Sequence, residues 1–312
     1  MQWSQIKTLF ILCFLVLDVY LLIQFSQKQD KEENDVSKQE QAATIEENLR
    51  AENIKISANL SGEDLKGSYI SVKKQLFTEE SSKTVKAAEN QETAIIDKEF
   101  IISRLKEPAK IQEDATEDEI TELVKSKLTL ISPDSYVFWD WNKELNMLVF
   151  FQKKNDRPIY FNPNGIIFVF LNDKNEIDFY TQTLLGEVEE QESQKLLSKP
   201  IEAIKVLFQR NELNPDEEVT KADIGYYTRL PLENVTQVFA PTWKITVDNE
   251  MNYFVNALEG TVFSSNDVEF LIKSVSTIVS KVNQIDNNPD LKKYLLNQLT
   301  NRLEAINRSE SE

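Results

Sequence analysis

Carboxylates are the most plentiful reactive groups in this chain, with 52 Asp and Glu against 35 Lys and Arg. Glycoside hydrolysis needs two of them across a cleft, one as acid and one as nucleophile or base. Asp140 draws notice because Trp139 and Trp141 flank it, and indole rings commonly platform sugars. Yet the run from Asp140 to Leu145 reads as a strand end and turn, where an acid is ordinary, and no second element supplies a partner acid. His is absent, which removes the usual proton-transfer group near neutral pH and the commonest metal ligand. The single Cys, Cys13, lies in an apolar run, leaving no thiol nucleophile, disulfide or Cys/His metal site beyond it. A serine nucleophile would have only a lysine to activate it. Neither G-x-S-x-G nor a Gly-rich phosphate loop occurs, and the chain has only six Gly. No acidic run has the spacing of a calcium loop. The expectation is a chain without catalytic, cofactor-binding or metal-binding residues.

The acid in the most unusual setting is Asp18. The twenty residues Ile6–Phe25 read IKTLFILCFLVLDVYLLIQF, and at about 1.5 Å per residue they span roughly 30 Å, the thickness of a bilayer core. A cleaved signal peptide is the competing reading, but FSQKQDKEEN offers no A-x-A-like cleavage site. Basic residues are nearly balanced, Lys7 and the terminal amine against Lys28 and Lys31. The shortness of the leading segment places the N-terminus in the cytoplasm and the bulk of the chain outside it. A carboxylate at membrane depth costs about 3 kcal/mol on insertion scales, so it usually faces a partner helix or polar cavity. On a helix Asp18 shares a face with Ile11, Phe14, Leu15, Leu21, Leu22 and Phe25, the first five of which form with it the candidate contact face for another membrane helix. The alternative places Asp18 near the outer interface with no specific contact.

The elements after the span follow from charge and periodicity. Formal net charge is −17, which repels phosphate backbones and disfavours lying flat on an anionic leaflet. With 312 residues the chain exceeds one typical domain. Residues 1–5 read as a cytoplasmic N-terminus, 6–25 as a transmembrane helix, and 26–47 as a polar tether in which Thr44 and Glu47 fit a capping box. The segments 53–60 and 68–77 alternate like strands, and 78–92 reads as a loop. A helix begins at Thr116, with Glu119 completing a capping box and Ile120, Leu123, Val124, Leu128 and Ile131 at helical spacing. Strand-like runs follow at 136–141, 147–152, 166–171 and 176–185, separated by turn residues. A helix over 201–213 and runs at 219–230, 237–247 and 253–263 repeat the pattern. From Asn266 the period is helical, interrupted at Pro289, and this tail either packs on the chain's own core or serves as a contact helix. The result is an α+β chain with a first extracytoplasmic domain over 48–190, a second over 191–264 and a helical tail over 265–312.

Three stretches resemble the YycI (WalI) family, membrane-anchored regulators of the WalK sensor histidine kinase in low-GC Gram-positive bacteria. They are MQWSQIKTLFILCFLVLDVYLLIQF, with Trp3, Lys7, Thr8 and Asp18 in the expected order; Arg157–Leu185, RPIYFNPNGIIFVFLNDKNEIDFYTQTLL; and Ile224–Phe263. The last, with Pro241, Trp243, Phe254, Val255, Asn256 and Gly260, also resembles a PepSY unit. The helical tail is longer than the resemblance leads one to expect. The resemblance implies a non-enzymatic regulator of the WalK/WalR two-component system in cell-wall homeostasis. It implies partners too: the kinase's transmembrane helices and a YycH-type regulator, with the homodimer as a further option. The rival expectation, from the acidic strand-rich region alone, is an envelope-binding or chaperone-like module acting through a sheet edge.

Overall fold

The computed structural model describes residues 11–21, 45–60, 62–190, 193–228, 236–263 and 267–309. They divide into two compact units. The smaller takes the described residues up to Lys55 together with Phe208–Glu217. In it, residues 11–21 form helix α1 and residues 45–51 form helix α2. Thr44 of the expected capping box lies outside the described residues. Helix α2 closes through Asn53, whose left-handed backbone (φ 59°) lets its N–H donate to Arg50 O at 3.0 Å and the Ile54 N–H to Leu49 O at 2.8 Å. That is a Schellman closure, completed by buried Leu49 and Ile54. The closure also corrects the expected strand over 53–60, of which only β1 (Lys55–Ile56) forms, because Asn53 is spent in ending the helix.

The larger unit holds residues 56–207 and the described residues from Glu218 onward. Its strands are β2 (Lys66–Gly67), β3 (Ile70–Lys74), β4 (Gln91–Ile96), β5 (Phe100–Lys110), β6 (Tyr136–Asn142), β7 (Met147–Lys154), β8 (Arg157–Pro158), β9 (Ile166–Leu171), β10 (Glu176–Gln182), β11 (Leu185–Glu190), β12 (Lys195–Leu196), β13 (Glu218–Tyr227), β14 (Gln237–Val247), β15 (Met251–Asn256) and β16 (Val262–Phe263). Its helices are α3 (Glu79–Lys86), α4 (Glu117–Lys127), α6 (Asp267–Val282) and α7 (Pro289–Ser309), while α5 (Pro200–Gln209) leads into the loop of the smaller unit. This is the expected α+β class, with antiparallel sheets.

The first sheet runs β4–β5–β10–β9–β7–β6, with β8 on β7. Its central strand β9 is apolar on both faces because both faces are covered. Along β9, Ile167, Val169 and Leu171 point into a core shared with Ile120, Val124 and Leu128 at α4 and with Val85 of α3. The alternate residues Ile166, Phe168 and Phe170 join Met147, Val149 and Phe179 in a second core with Leu271, Val275, Ile278 and Val282 of α6 and Leu291, Leu295 and Leu299 of α7. The period-2 geometry of a strand makes this division automatic. The tail thus packs on the chain's own sheet.

Helix α3 replaces the loop expected over 78–92. Its sequence EESSKTVK buries only Val85, so it carries almost no apolar period. Local chemistry forms it instead: the Thr78 hydroxyl accepts the Ser81 N–H at 3.1 Å, with acids in the first turn and lysines in the last. The capping box of Thr116 and Glu119 forms at the start of α4. The expected helix over 201–213 ends at Gln209, with Asn211 left-handed soon after (φ 56°).

The run 176–185 is not one strand. Strand β10 stops at Gln182, and β11 joins β3. In turn β3 pairs with β14, at the start of the second sheet, which continues β13–β14–β15–β16. The switch is fixed at Thr183, whose hydroxyl donates to Pro163 O at 2.8 Å and whose N–H reaches Ile166 O at 3.1 Å. The run 253–263 likewise splits, into β15 and β16, around Gly260 (φ +66°). An aromatic cluster links the two sheets: Trp139 lies 5.1 Å from Phe151 and 6.4 Å from Phe254, and Phe254 lies 5.3 Å from Tyr227 (ring centroids). Gly225 admits this cluster, since a Cβ there would fall 2.3 Å from Cε2 of Tyr160.

Candidate functional site

Asp140 is not the centre of a sugar site. Its strand bulges between Phe138 and Asp140, and the flanking indoles go to different cores, Trp139 to the aromatic cluster and Trp141 to the core under α4. The Lys143 ammonium sits 2.8 Å from the centroid of the Trp141 ring, occupying the face a sugar would use. The hollow nearby, about 560 Å³ in volume, is lined by Glu113, Lys143, Glu144, Asn146, Asp173 and Asn175. It is open and polar, without a convergent set of reactive groups. Among the described residues, no group of three or more His, Cys, Asp or Glu is placed to hold a metal ion.

One acid that the sequence reading passed over has an unusual setting. Asp178 in β10 is 5% exposed, and both its carboxylate oxygens lie 2.8 Å from the Tyr294 hydroxyl of α7. The Arg104 guanidinium stacks on the Tyr294 ring at 3.4 Å. Burial raises the Asp178 carboxyl above the ordinary carboxylate range, opposed by the Tyr294 hydrogen bond and by Arg104 and Arg302. Beside it Arg302 donates to Leu145 O at 3.2 Å and to Leu171 O. The signal was present in the sequence as an acid inside the apolar strand EIDFYTQ. With its carboxylate engaged by a tyrosine of its own tail, Asp178 is a latch between sheet and helix rather than a group facing substrate.

The candidate contact face is on α1. Residues 11–21 are helical with every side chain exposed; Ile11 is 66% exposed and Phe14 and Leu15 are each 59% exposed. Helical spacing brings Asp18 onto one face with Ile11, Phe14, Leu15 and Leu21. Leu22, the sixth residue of the expected face, lies outside the described residues, as do residues 6–10 and 23–25 of the expected span. Among the described residues no helix is long and apolar enough to cross a membrane. Asp18 is the one charged group among residues 11–21, which are otherwise apolar apart from the Tyr20 hydroxyl and the Cys13 thiol.

Comparison with known proteins then bears on what this arrangement belongs to. No curated protein matches the chain. A family model, described as YycI protein, matches residues 32–258. The match takes in β1 to β15 and both cores of the first sheet apart from the helices α6 and α7, and it covers well over half of the sequence: the chain belongs to the YycI family.

Proposed function

We propose that this protein is a non-enzymatic accessory of the WalK/WalR two-component system, adjusting the sensor histidine kinase through its N-terminal helix and acting with a YycH-type partner. Membership of the YycI family, a family of regulatory proteins not known as enzymes, carries the reading. In it residues 1–5 are cytoplasmic, 6–25 cross the bilayer, 26–47 form a tether whose last residues, from Ile45, already enter α2, and the rest lies outside the cytoplasm. The exposed apolar α1 with its single acid supports a contact inside the membrane. Polar contacts between membrane helices contribute about 0.6–2 kcal/mol each, and 1.4 kcal/mol is a tenfold bias. One or two such contacts are therefore enough to shift a kinase poised between two states. The second sheet with α5 is the PepSY-like unit of this reading.

A docking role for a sheet edge has less support. Edge strand β11 presents exposed Glu187 and Glu189, and edge strand β6 carries its bulge. Both devices discourage strand addition. The test is recovery of the kinase with full-length protein from detergent-solubilised membranes, wild type beside a version carrying a foreign membrane helix. Loss of the kinase from the swapped version is expected; equal recovery from both would refute contact through this helix.

A further inference from the structure

The segment between the apolar helix and the sheets would be a passive tether if nothing fixed its far end. The structure fixes it. Within four residues of the end of α2 the chain makes three hydrogen bonds to a loop some 160 residues away in sequence. Asn53 Nδ2 donates to Asp216 Oδ1 at 2.5 Å, the Asp216 N–H donates to Glu52 O at 3.2 Å, and the Lys55 N–H donates to Glu217 O at 2.9 Å. The loop is braced from within: Asn214 donates to the Glu217 carboxylate from its side chain at 2.7 Å and from its backbone at 2.8 Å. Asn53 and Asp216 are both left-handed, with φ of 59° and 71°, so their shared bond joins two sharp turns that have little freedom to yield. Ile45, Leu49, Ile54 and Leu213 are buried in the same unit.

We infer that α2 and the loop Phe208–Glu217 form a coupling clamp, through which a displacement of α2 is delivered to the connection between α5 and β13. Three bonds just past a helix end, together with a Schellman closure, fix the direction of the helix as well as its position. The loop is covalently continuous with α5, which ends at Gln209, and with β13, which starts at Glu218. Movement of α2 therefore displaces the one connection between those two elements instead of dissipating in slack chain. The inference rests on the kinase-regulating function proposed above.

Asp216→Gly tests it, because glycine keeps the left-handed turn and removes only the carboxylate acceptor; Asn53→Gly removes the other half of the bond in the same way. Full-length protein is reconstituted in vesicles with the kinase. The expected result is that each variant still co-purifies with the kinase, exchanges the amides of Asp216 and Lys55 about tenfold faster, and loses roughly three- to tenfold of the wild-type effect on autophosphorylation. A full effect from a variant with those amides exchanging faster would overturn the clamp as a transmitter. Unchanged exchange would overturn the clamp itself, and loss of co-purification would make it a binding element instead. If wild type neither binds nor affects the kinase, the proposed function fails, a result distinct from all of these.

Discussion

Leu295→Ala is the sharpest test of whether α6 and α7 are an appendage or part of the fold. Leu295 is fully buried, in one core with Met147, Val149, Phe168, Phe170 and Phe179 of the first sheet. Truncation removes the transfer free energy of the side chain and leaves a cavity. Neighbours held between a sheet and two helices relax little, so the cost falls near the middle of the usual range, about 3 kcal/mol. For a unit of this size each kcal/mol moves the midpoint by about 2–4 °C, giving a fall in Tm of about 6–12 °C. The assay is thermal unfolding of full-length protein in detergent, followed by far-UV circular dichroism for helices and near-UV for buried Trp243. A single transition, shifted equally in both signals, is expected. Val268→Ala, at a position 42% exposed on α6, should stay within about 0.5 kcal/mol of wild type. If the helical signal of Leu295→Ala melts separately while the near-UV transition stays where it was, the tail is an independent attachment and the argument is wrong.

Gly225→Ala sets a methyl against the Tyr160 ring and 2.8 Å from Pro158 O; the expected loss is about 1–3 kcal/mol in denaturant unfolding, and a neutral result would show that the ring can move aside. Asp178 should give the protein a characteristic pH response. Burial raises its folded pKa, so the folded state holds a proton more tightly than the unfolded state, and this residue's unfavourable contribution fades as pH falls from above the raised value towards the ordinary carboxylate value of about 3.9. Denaturant titrations at several pH values should therefore show wild type gaining stability relative to Asp178→Asn on acidification; parallel curves would refute the assignment. Asp18→Leu should leave ectodomain stability unchanged and weaken kinase recovery from membranes by about threefold or more; undiminished recovery together with unchanged kinase output would remove Asp18 from the contact face.

The fold was legible where burial writes a period into the sequence. Strands β9 and β14 have the bounds that their apolar runs predict, and the capping box at Thr116 marks the start of α4. The tail's helical spacing was clear, while its destination was not, because an amphipathic helix does not name the surface it covers. Two elements were hidden for local reasons. Helix α3 is polar and held by its caps. The β4–β5 hairpin turns through Asp97 and Lys98, both left-handed (φ 52° and 56°), without the Gly that usually flags such a turn. The switch at Thr183 was invisible because β10 and β11 are nearly continuous in the chain and differ only in which neighbours they find. Of the candidate site, the grouping of Asp18 with Ile11, Phe14, Leu15 and Leu21 follows from helical spacing alone. The partnership of Asp178 with Tyr294, 116 residues away, could not.

The cover that α6 and α7 place over the first sheet also sets an order of events in biosynthesis. Strands β4 to β10 are complete by residue 182, whereas the last buried leucine of that core is Leu299. As the chain is made from its N-terminus, a surface bearing Phe168, Phe170 and Phe179 waits more than eighty residues for α6 to begin and more than a hundred for Leu299 of α7 to complete its cover. During that interval the nascent protein presents the kind of apolar surface that binds chaperones or neighbouring chains. A premature stop before Leu291 removes all the buried leucines of α7 and leaves the polypeptide permanently at that stage, so such truncated products are expected to be cleared or aggregated rather than to survive as shortened regulators.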